Sequence, residues 1–183
     1  MLAMAEALAA SEIAFLQYRN KSARTGQMLD QARELRSRLG TSIKLIMNDR
    51  ADLCLAANFD GLHIGQDDLS PESARSIIGP NRWLGVSTHN PEQIAKANET
   101  SANYLAIGPI FATKSKLNPD PVVGLDGLRR ARELTRKPLV AIGGITRANV
   151  LSVIDAGADS VAVISDLLLD PAKSAEEFLR LLG

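Results

Sequence analysis

The residues best equipped for chemistry stand in short polar clusters, each placed directly after an apolar run. The first is Gln17-Tyr18-Arg19-Asn20-Lys21, at the end of the run Ile13–Gln17. Side chains alternate along an extended chain, so Gln17, Arg19 and Lys21 project to one side. Arginine offers a planar donor fork and lysine a mobile point charge, a pair suited to a polyphosphate. Taken alone, the triplet equally describes a solvated basic edge. The next two clusters change that balance, because Asn48-Asp49-Arg50 and Gly65-Gln66-Asp67-Asp68 bring carboxylates to neighbouring strand ends. Two such carboxylates can share one hard cation, and Mg²⁺ commonly takes one or two of them together with phosphate oxygens. Asp49 and Asp68 also have plainer uses, as the caps of a helix and of a turn. With two cations beside them, a metal–diphosphate site is the better account.

Further along, Ser87-Thr88-His89 invites a nucleophile–base reading, but no oxyanion loop or third partner accompanies it. His89 is expected to hydrogen-bond within its loop, and His63, inside an apolar run, to be a satisfied interior residue. Gly108-Pro109-Ile110-Phe111-Ala112-Thr113-Lys114-Ser115-Lys116 opens a long polar loop that ends near Gly124. The hydroxyls of Thr113 and Ser115 beside Lys116 make an anion clamp that can order over a bound substrate. Gly143-Gly144-Ile145 and Ile164-Ser165 end the last two apolar runs. In (β/α) barrels the loops at those positions often bind phosphate, through backbone N–H groups that glycine lets an anion approach closely. Cys54, within Leu53–Ala57, reads as a small buried residue rather than a thiol nucleophile.

Some scaffold must aim these clusters at one place. The runs Ile13–Gln17, Ile43–Met47, Gly61–Ile64, Trp83–Val86, Tyr104–Ile107, Leu139–Ile142 and Val161–Ile164 are near-continuously apolar. That is the pattern of parallel strands covered on both faces. Helical patterns alternate with them over Gln27–Leu39, Asp52–Ala57, Pro71–Ile78, Pro91–Thr100, Leu125–Leu134, Ala148–Ala156 and Ala172–Leu182. Ser70 before Pro71 is an N-cap with proline at the first helical position. Met1–Ala10 reads as a core-facing amphipathic helix. Such a chain is either a doubly wound sheet or a (β/α)₈ TIM barrel. Polar and glycine residues follow nearly every strand instead of a single switch point, which favours the barrel and gathers the clusters at one mouth. The strand count is seven rather than eight, and a helix precedes the first strand, so the first barrel strand is expected to be missing.

Composition bounds the rest. The chain has 183 residues, 45% hydrophobic and 23% charged, which suits one domain over residues 1–183. Lys plus Arg and Asp plus Glu both number 21, so no net field favours nucleic acid or an anionic membrane. A lone cysteine excludes an internal disulfide and fits a reducing compartment. The first ten residues lack the basic start of a secretory signal. No segment approaches the roughly 18 apolar residues of a membrane span. The expectation is a cytoplasmic protein with small-molecule partners, no nucleic acid and no membrane, and with room for a homo-oligomer.

Gln17-x-Arg19-x-Lys21, Asn48-Asp49, Gly65-Gln66-Asp67-Asp68, Gly85-Val86-Ser87-Thr88-His89, Gly108-Pro109-Ile110-Phe111-x-Thr113-x-Ser115-Lys116 and Ile142-Gly143-Gly144-Ile145 together resemble the thiamine-phosphate synthase family. The motifs occur in that family's order, from about Ile13 to Leu168. The resemblance implies that Gln17, Arg19, Lys21, Asn48, Thr113, Ser115 and Lys116 hold a pyrimidine diphosphate. Of these, Arg19, Lys21 and Lys116 are implied as catalytic. It implies Asp49 and Asp68 as Mg²⁺ ligands, Ser87 in the pyrimidine pocket, and Gly144, Ile164 and Ser165 as a cradle for thiazole phosphate. The implied reaction joins the pyrimidine methylene to the thiazole nitrogen and releases diphosphate, through a cation-like pyrimidine and without a protein nucleophile. Asn20, Ala112 and Ser115 depart from the family's usual acidic residue, proline and threonine.

Two rivals stand beside this reading. One is a thiazole tautomerase-like relative on the same barrel, against which the Asp49–Asp68 pair and the Thr113–Lys116 loop argue. The other is a non-catalytic relative that binds thiazole or thiamine phosphate, suggested by the missing strand. The same feature predicts that a first strand lies upstream of Met1, that the chain is a truncated reading of a longer product, and that seven strands leave a gap between Ile13–Gln17 and Val161–Ile164.

Overall fold

A computed structural model describes residues 1–11, 13–113, 120–168 and 170–183. Helix α1 (Leu2–Ala10) comes first, followed by β1 (Phe15–Tyr18), α2 (Thr25–Leu39), β2 (Lys44–Asn48), α3 (Ala51–Ala56) and β3 (Gly61–Ile64). Then come α4 (Pro71–Ile78), β4 (Trp83–Thr88), α5 (Pro91–Asn98), β5 (Tyr104–Ile107) and α6 (Gly124–Leu134). The chain closes with β6 (Leu139–Ile142), α7 (Val150–Asp155), β7 (Ser160–Ala162), a 3₁₀ turn (Ser165–Leu167) and α8 (Pro171–Leu182). None of the helices described is long and apolar enough to cross a membrane.

The strands form one sheet in the order β1-β2-β3-β4-β5-β6-β7, every described pair parallel. A strictly sequential order has no switch point, which removes the doubly wound alternative. This is an α/β fold with seven parallel strands, and no pairing of β7 with β1 occurs among the described residues. Outside the sheet, α1 packs against both α2 and α8, burying Ala5 and Leu8, so the helical layer spans the place where the sheet is open. Most elements lie where the apolar periodicity puts them. The last strand differs: pairing with β6 begins at Ser160 and stops at Ala162, so Ile164 lies beyond the ladder and Ser165 opens a 3₁₀ turn.

Helix starts are marked by chemistry that satisfies orphan N–H groups. The Ser70 hydroxyl accepts from Ser73 N, the Asn90 side chain from Gln93 N, and the Asp170 side chain from Lys173 N, each with a proline at the helix start. Helix α2 buries Met28, Ala32, Leu35 and Leu39, a stripe of helical period facing the sheet.

A second device recurs at every other strand start. Leu45 N donates to Asp60, Leu84 N to Asn103 and Leu139 N to Asp159, at 2.9, 2.8 and 2.7 Å. Each acceptor is in turn held by an arginine from the helix before that strand: Arg36, Arg75 and Arg132. The same three arginines also donate to backbone carbonyls in the helix–strand turns, at Gly40, Gly79 and Thr135. Strand and helix are thereby fixed at the end opposite the polar clusters. At Asp60, burial raises the carboxyl pKa, but Arg36, the Leu45 amide and Lys44 together bring it below the usual range.

Candidate active site

The Tyr18 hydroxyl donates to Gln31 on α2, so Tyr18 faces the helices and its neighbour Gln17 faces the interior. Register carries that inward row across the sheet, aligning Gln17 with Ile46 and Gly61, and Asn48 with His63, Gly85 and Tyr104. Gln17, Asn48, His63 and Ser87 therefore line one face. All the polar clusters follow the C-terminal ends of parallel strands, which is where a barrel keeps its chemistry.

Lys21 Nζ stands 3.2 Å from Asp49 Oδ2. Asp49 adopts a left-handed backbone, φ 61°, and its N–H donates to His63 O at 2.8 Å. Aspartate is among the few residues that tolerate this conformation. Burial is the largest influence on its carboxyl, followed by hydrogen bonding to and repulsion from Asp68; together they hold Asp49 above the ordinary carboxylate range, against Lys21. The two carboxyls thus meet across adjacent strand ends. Asp68 also accepts from Gly65 N at 2.8 Å, so its plain turn-capping role and its place beside Asp49 coexist. Asp49 does not cap α3, whose N-cap is Arg50 without a side-chain cap bond. No group of three or more His, Cys, Asp or Glu residues is poised for a metal among the described residues. The donor set is two hard oxygens groups, which fits Mg²⁺ completed by phosphate and water rather than a metal caged by protein alone.

Beneath this pair runs a half-buried polar chain. His63 Nδ1 lies 3.0 Å from the Tyr104 hydroxyl and Nε2 lies 2.8 Å from Ser87 Oγ. Gly85 sits between His63 and Tyr104 in register, and a Cβ there would stand 2.1 Å from Tyr104 Cζ and 2.5 Å from His63 Nδ1. Glycine is what lets the two rings meet. Burial pushes the His63 pKa down to about 4, with the Asp68 charge pulling the other way, so the imidazole is neutral at pH 7. A neutral imidazole gives one donor and one acceptor, and hydroxyls satisfy both. Gln66 Nε2 donates to Ser87 O at 2.6 Å, fixing that residue from a second side. His89 behaves as a loop hydrogen-bonder, with Nδ1 2.5 Å from Gly108 O and Nε2 3.5 Å from Asp120 Oδ2.

The remaining residues divide by loop. Thr113 is half-buried at the start of the long loop, whereas Ser115 and Lys116 lie outside the described residues. The segment before it continues the sheet, because Ile110 N donates to Ile142 O and Phe111 N to Gly143 O. Gly144, φ 66°, presses against this segment. Ile164 is 58% exposed and precedes Ser165 at the 3₁₀ turn. Arg19, the residue directly after β1, is exposed. Sequence reasoning did not pick out Tyr104, Gln66 or Arg147 as site residues. Tyr104 is found by register, and Gln66 by its place two residues before Asp68.

Comparison with known proteins identifies the family. A family model described as thiamine monophosphate synthase matches residues 1–167. The chain is 62% identical to the thiamine-phosphate synthase of Koribacter versatilis over 178 residues, 97% of this chain and 84% of that protein. It is 45% identical to the thiamine-phosphate synthase of Chloroflexus aurantiacus, over 98% of this chain and 84% of that one. The solved thiamine phosphate pyrophosphorylase from Pyrococcus furiosus superposes with a TM-score of 0.89 at 32% identity, covering 99% of this chain and 88% of its own. With its polar clusters gathered at one end of a sequential parallel sheet, this chain belongs to the thiamine monophosphate synthase family.

Proposed function

We propose that this chain is a Mg²⁺-dependent transferase that makes thiamine phosphate from hydroxymethylpyrimidine diphosphate and thiazole phosphate. The observation that carries the reading is the meeting of Lys21, Asp49 and Asp68 where strands β1, β2 and β3 end. In the reaction the bond between the pyrimidine methylene and the diphosphate oxygen breaks, and the thiazole nitrogen supplies the electron pair of the new C–N bond. Diphosphate leaves with the bonding electrons. Arg19, Lys21 and Lys116, with Gln17, Asn48, Thr113 and Ser115, bind that leaving group and offset the charge that grows on it. Asp49 and Asp68 would hold Mg²⁺, which when bound supplies further charge stabilisation to the diphosphate oxygens. Ser87, fixed through His63 and Gln66, orients the pyrimidine. Gly144, Ile164 and Ser165 hold the thiazole phosphate so that its nitrogen faces the methylene carbon.

We read the sheet as a (β/α)₈ barrel wall short of one strand, and place the protein in the cytoplasm. The opening between β7 and β1 favours a second reading, a non-catalytic binder of the same phosphates. One assay separates them. Purified protein with both substrates should form thiamine phosphate with Mg²⁺ and lose that activity with a chelator. Binding of both substrates without product would leave only the binder.

A further inference from the structure

Backbone pairing between β6 and β7 ends at Ile142 with Ala162. The residues assigned above to the thiazole phosphate, Gly144 on one side and Ile164–Ser165 on the other, all lie beyond that last rung. One half of this cradle is well anchored. Ile142 O and Gly143 O accept from Ile110 N and Phe111 N, and the Asn149 side chain donates to Gly144 O at 3.1 Å. The other half follows a strand that has no described neighbour on its far side.

An arginine joins the halves. Arg147, three residues after Gly144, donates from Nε to Asp166 Oδ2 at 2.8 Å, and its backbone N–H reaches the same oxygen at 3.2 Å. Asp166 directly follows Ser165. Arg147 Nη1 donates to Glu177 on α8, so its far end is tied to the outer layer. The side chains of Arg147, Asp166 and Glu177 are 35%, 20% and 31% exposed, so the ion pairs are partly shielded from water. A planar guanidinium bonded on two edges fixes direction as well as distance, which an ammonium does not.

We infer that Arg147, with Asp166 and Glu177, is a positioning clasp that sets the distance between the two halves of the thiazole-phosphate cradle. The inference rests on the synthase reading for its ligand. Arg147 does not touch the reacting atoms; it acts through Ser165 and Gly144. Loosening the clasp should therefore weaken one substrate and spare the other, whose diphosphate is held at the ends of β1 to β3 and on the long loop.

The test is steady-state kinetics on the full chain as Arg147→Met, Arg147→Lys, Asp166→Asn and the Met/Asn double variant. Arg147→Met should raise KM for thiazole phosphate at least tenfold while KM for the pyrimidine diphosphate stays within twofold. Arg147→Lys should recover part of the loss, and the double variant should be no worse than the weaker single, as expected of coupled partners. Calorimetric titration of thiazole phosphate into the wild type and Arg147→Met gives a readout independent of turnover. Equal dissociation constants for the two, no binding by the wild type, or parallel rises in both KM values would overturn the clasp. Intact phosphate binding by the wild type without any turnover would overturn the synthase reading alone. A clasp that merely stabilises the fold would lower Tm and leave both KM values unchanged, which also overturns the inference.

Discussion

Burial and the facing carboxyl of Asp68 disfavour the charged form of Asp49, and Lys21, itself 62% exposed, only partly opposes them. Two facing carboxyls cost stability while both are charged, and the proposed Mg²⁺ would offset that cost. Asp49→Asn tests this with little damage, because asparagine accepts the left-handed backbone at this position as readily as aspartate. The variant should match or exceed the wild-type Tm without metal, should show no Mg²⁺-dependent rise in Tm, and should lose turnover by at least a hundredfold. A near-wild-type rate at limiting Mg²⁺ would remove Asp49 from the site. His63 carries a second residue-level consequence. Its folded pKa of about 4 lies below the ordinary 6.5, so beneath 6.5 the unfolded chain takes up a proton that the folded chain refuses. The stability this provides is complete above 6.5 and is lost as pH falls toward 4, by about 3 kcal/mol in all. Thermal melts between pH 7 and 4 should show that slope, and His63→Gln should flatten it.

Gly144 shows how an element can change the meaning of a residue. From its place after the sixth strand, its expected role is to let a phosphate approach the backbone, so that a side chain there would weaken thiazole phosphate alone. In the fold, a Cβ at Gly144 would stand 2.7 Å from Phe111 Cβ and 2.8 Å from Ala112 O. That segment leads into Thr113 and the loop proposed above to hold the diphosphate. Gly144→Val should therefore raise KM for both substrates, each on the order of tenfold for about 1–3 kcal/mol of backbone strain. A selective effect on thiazole phosphate would show that the two loops move independently. The same distinction explains what was legible in the sequence. Gly61–Ile64, Tyr104–Ile107 and Leu139–Ile142 form strands over the bounds their apolar runs predict, because parallel strands covered on both faces leave continuous apolar signals. The places of Asp49 and Asp68, just beyond the ends of β2 and β3, were legible because polar clusters that follow such runs sit past strand ends. Tyr104–His63–Ser87, Arg36–Asp60 and Arg147–Asp166 were not, since register and helix packing alone bring those partners together. Ser165 was expected at the end of a strand, but β7 stops early and a 3₁₀ turn begins there.

At the scale of the molecule, the outer layer and the sheet disagree about closure. Helix α1 contacts α2 and α8 and so covers the opening from outside, while β1 and β7 have no described partner on their outer edges. Inward side chains report the same opening: Phe15 on β1 is 44% exposed and Ser160 and Ala162 on β7 are exposed, whereas His63 on β3 is 8% exposed. Strand edges with free N–H and C=O groups and apolar side chains on one face template pairing with another chain. The polypeptide of residues 1–183 should therefore self-associate as its concentration rises. Natural edges are often protected by a lysine, whose charge resists dehydration and repels a second copy. Ala162→Lys places that charge on the exposed inward face of β7, opposite no buried neighbour, so the fold should survive it. Sedimentation velocity across a hundredfold concentration range checks the idea, with circular dichroism to confirm unchanged secondary structure. The unsubstituted chain should gain mass with concentration, and Ala162→Lys should associate at least tenfold more weakly. If the unsubstituted chain stays monomeric throughout, α1 and the loops at the opening shield the edges enough to prevent pairing. If both chains associate equally, another surface is responsible and β7 is not the contact.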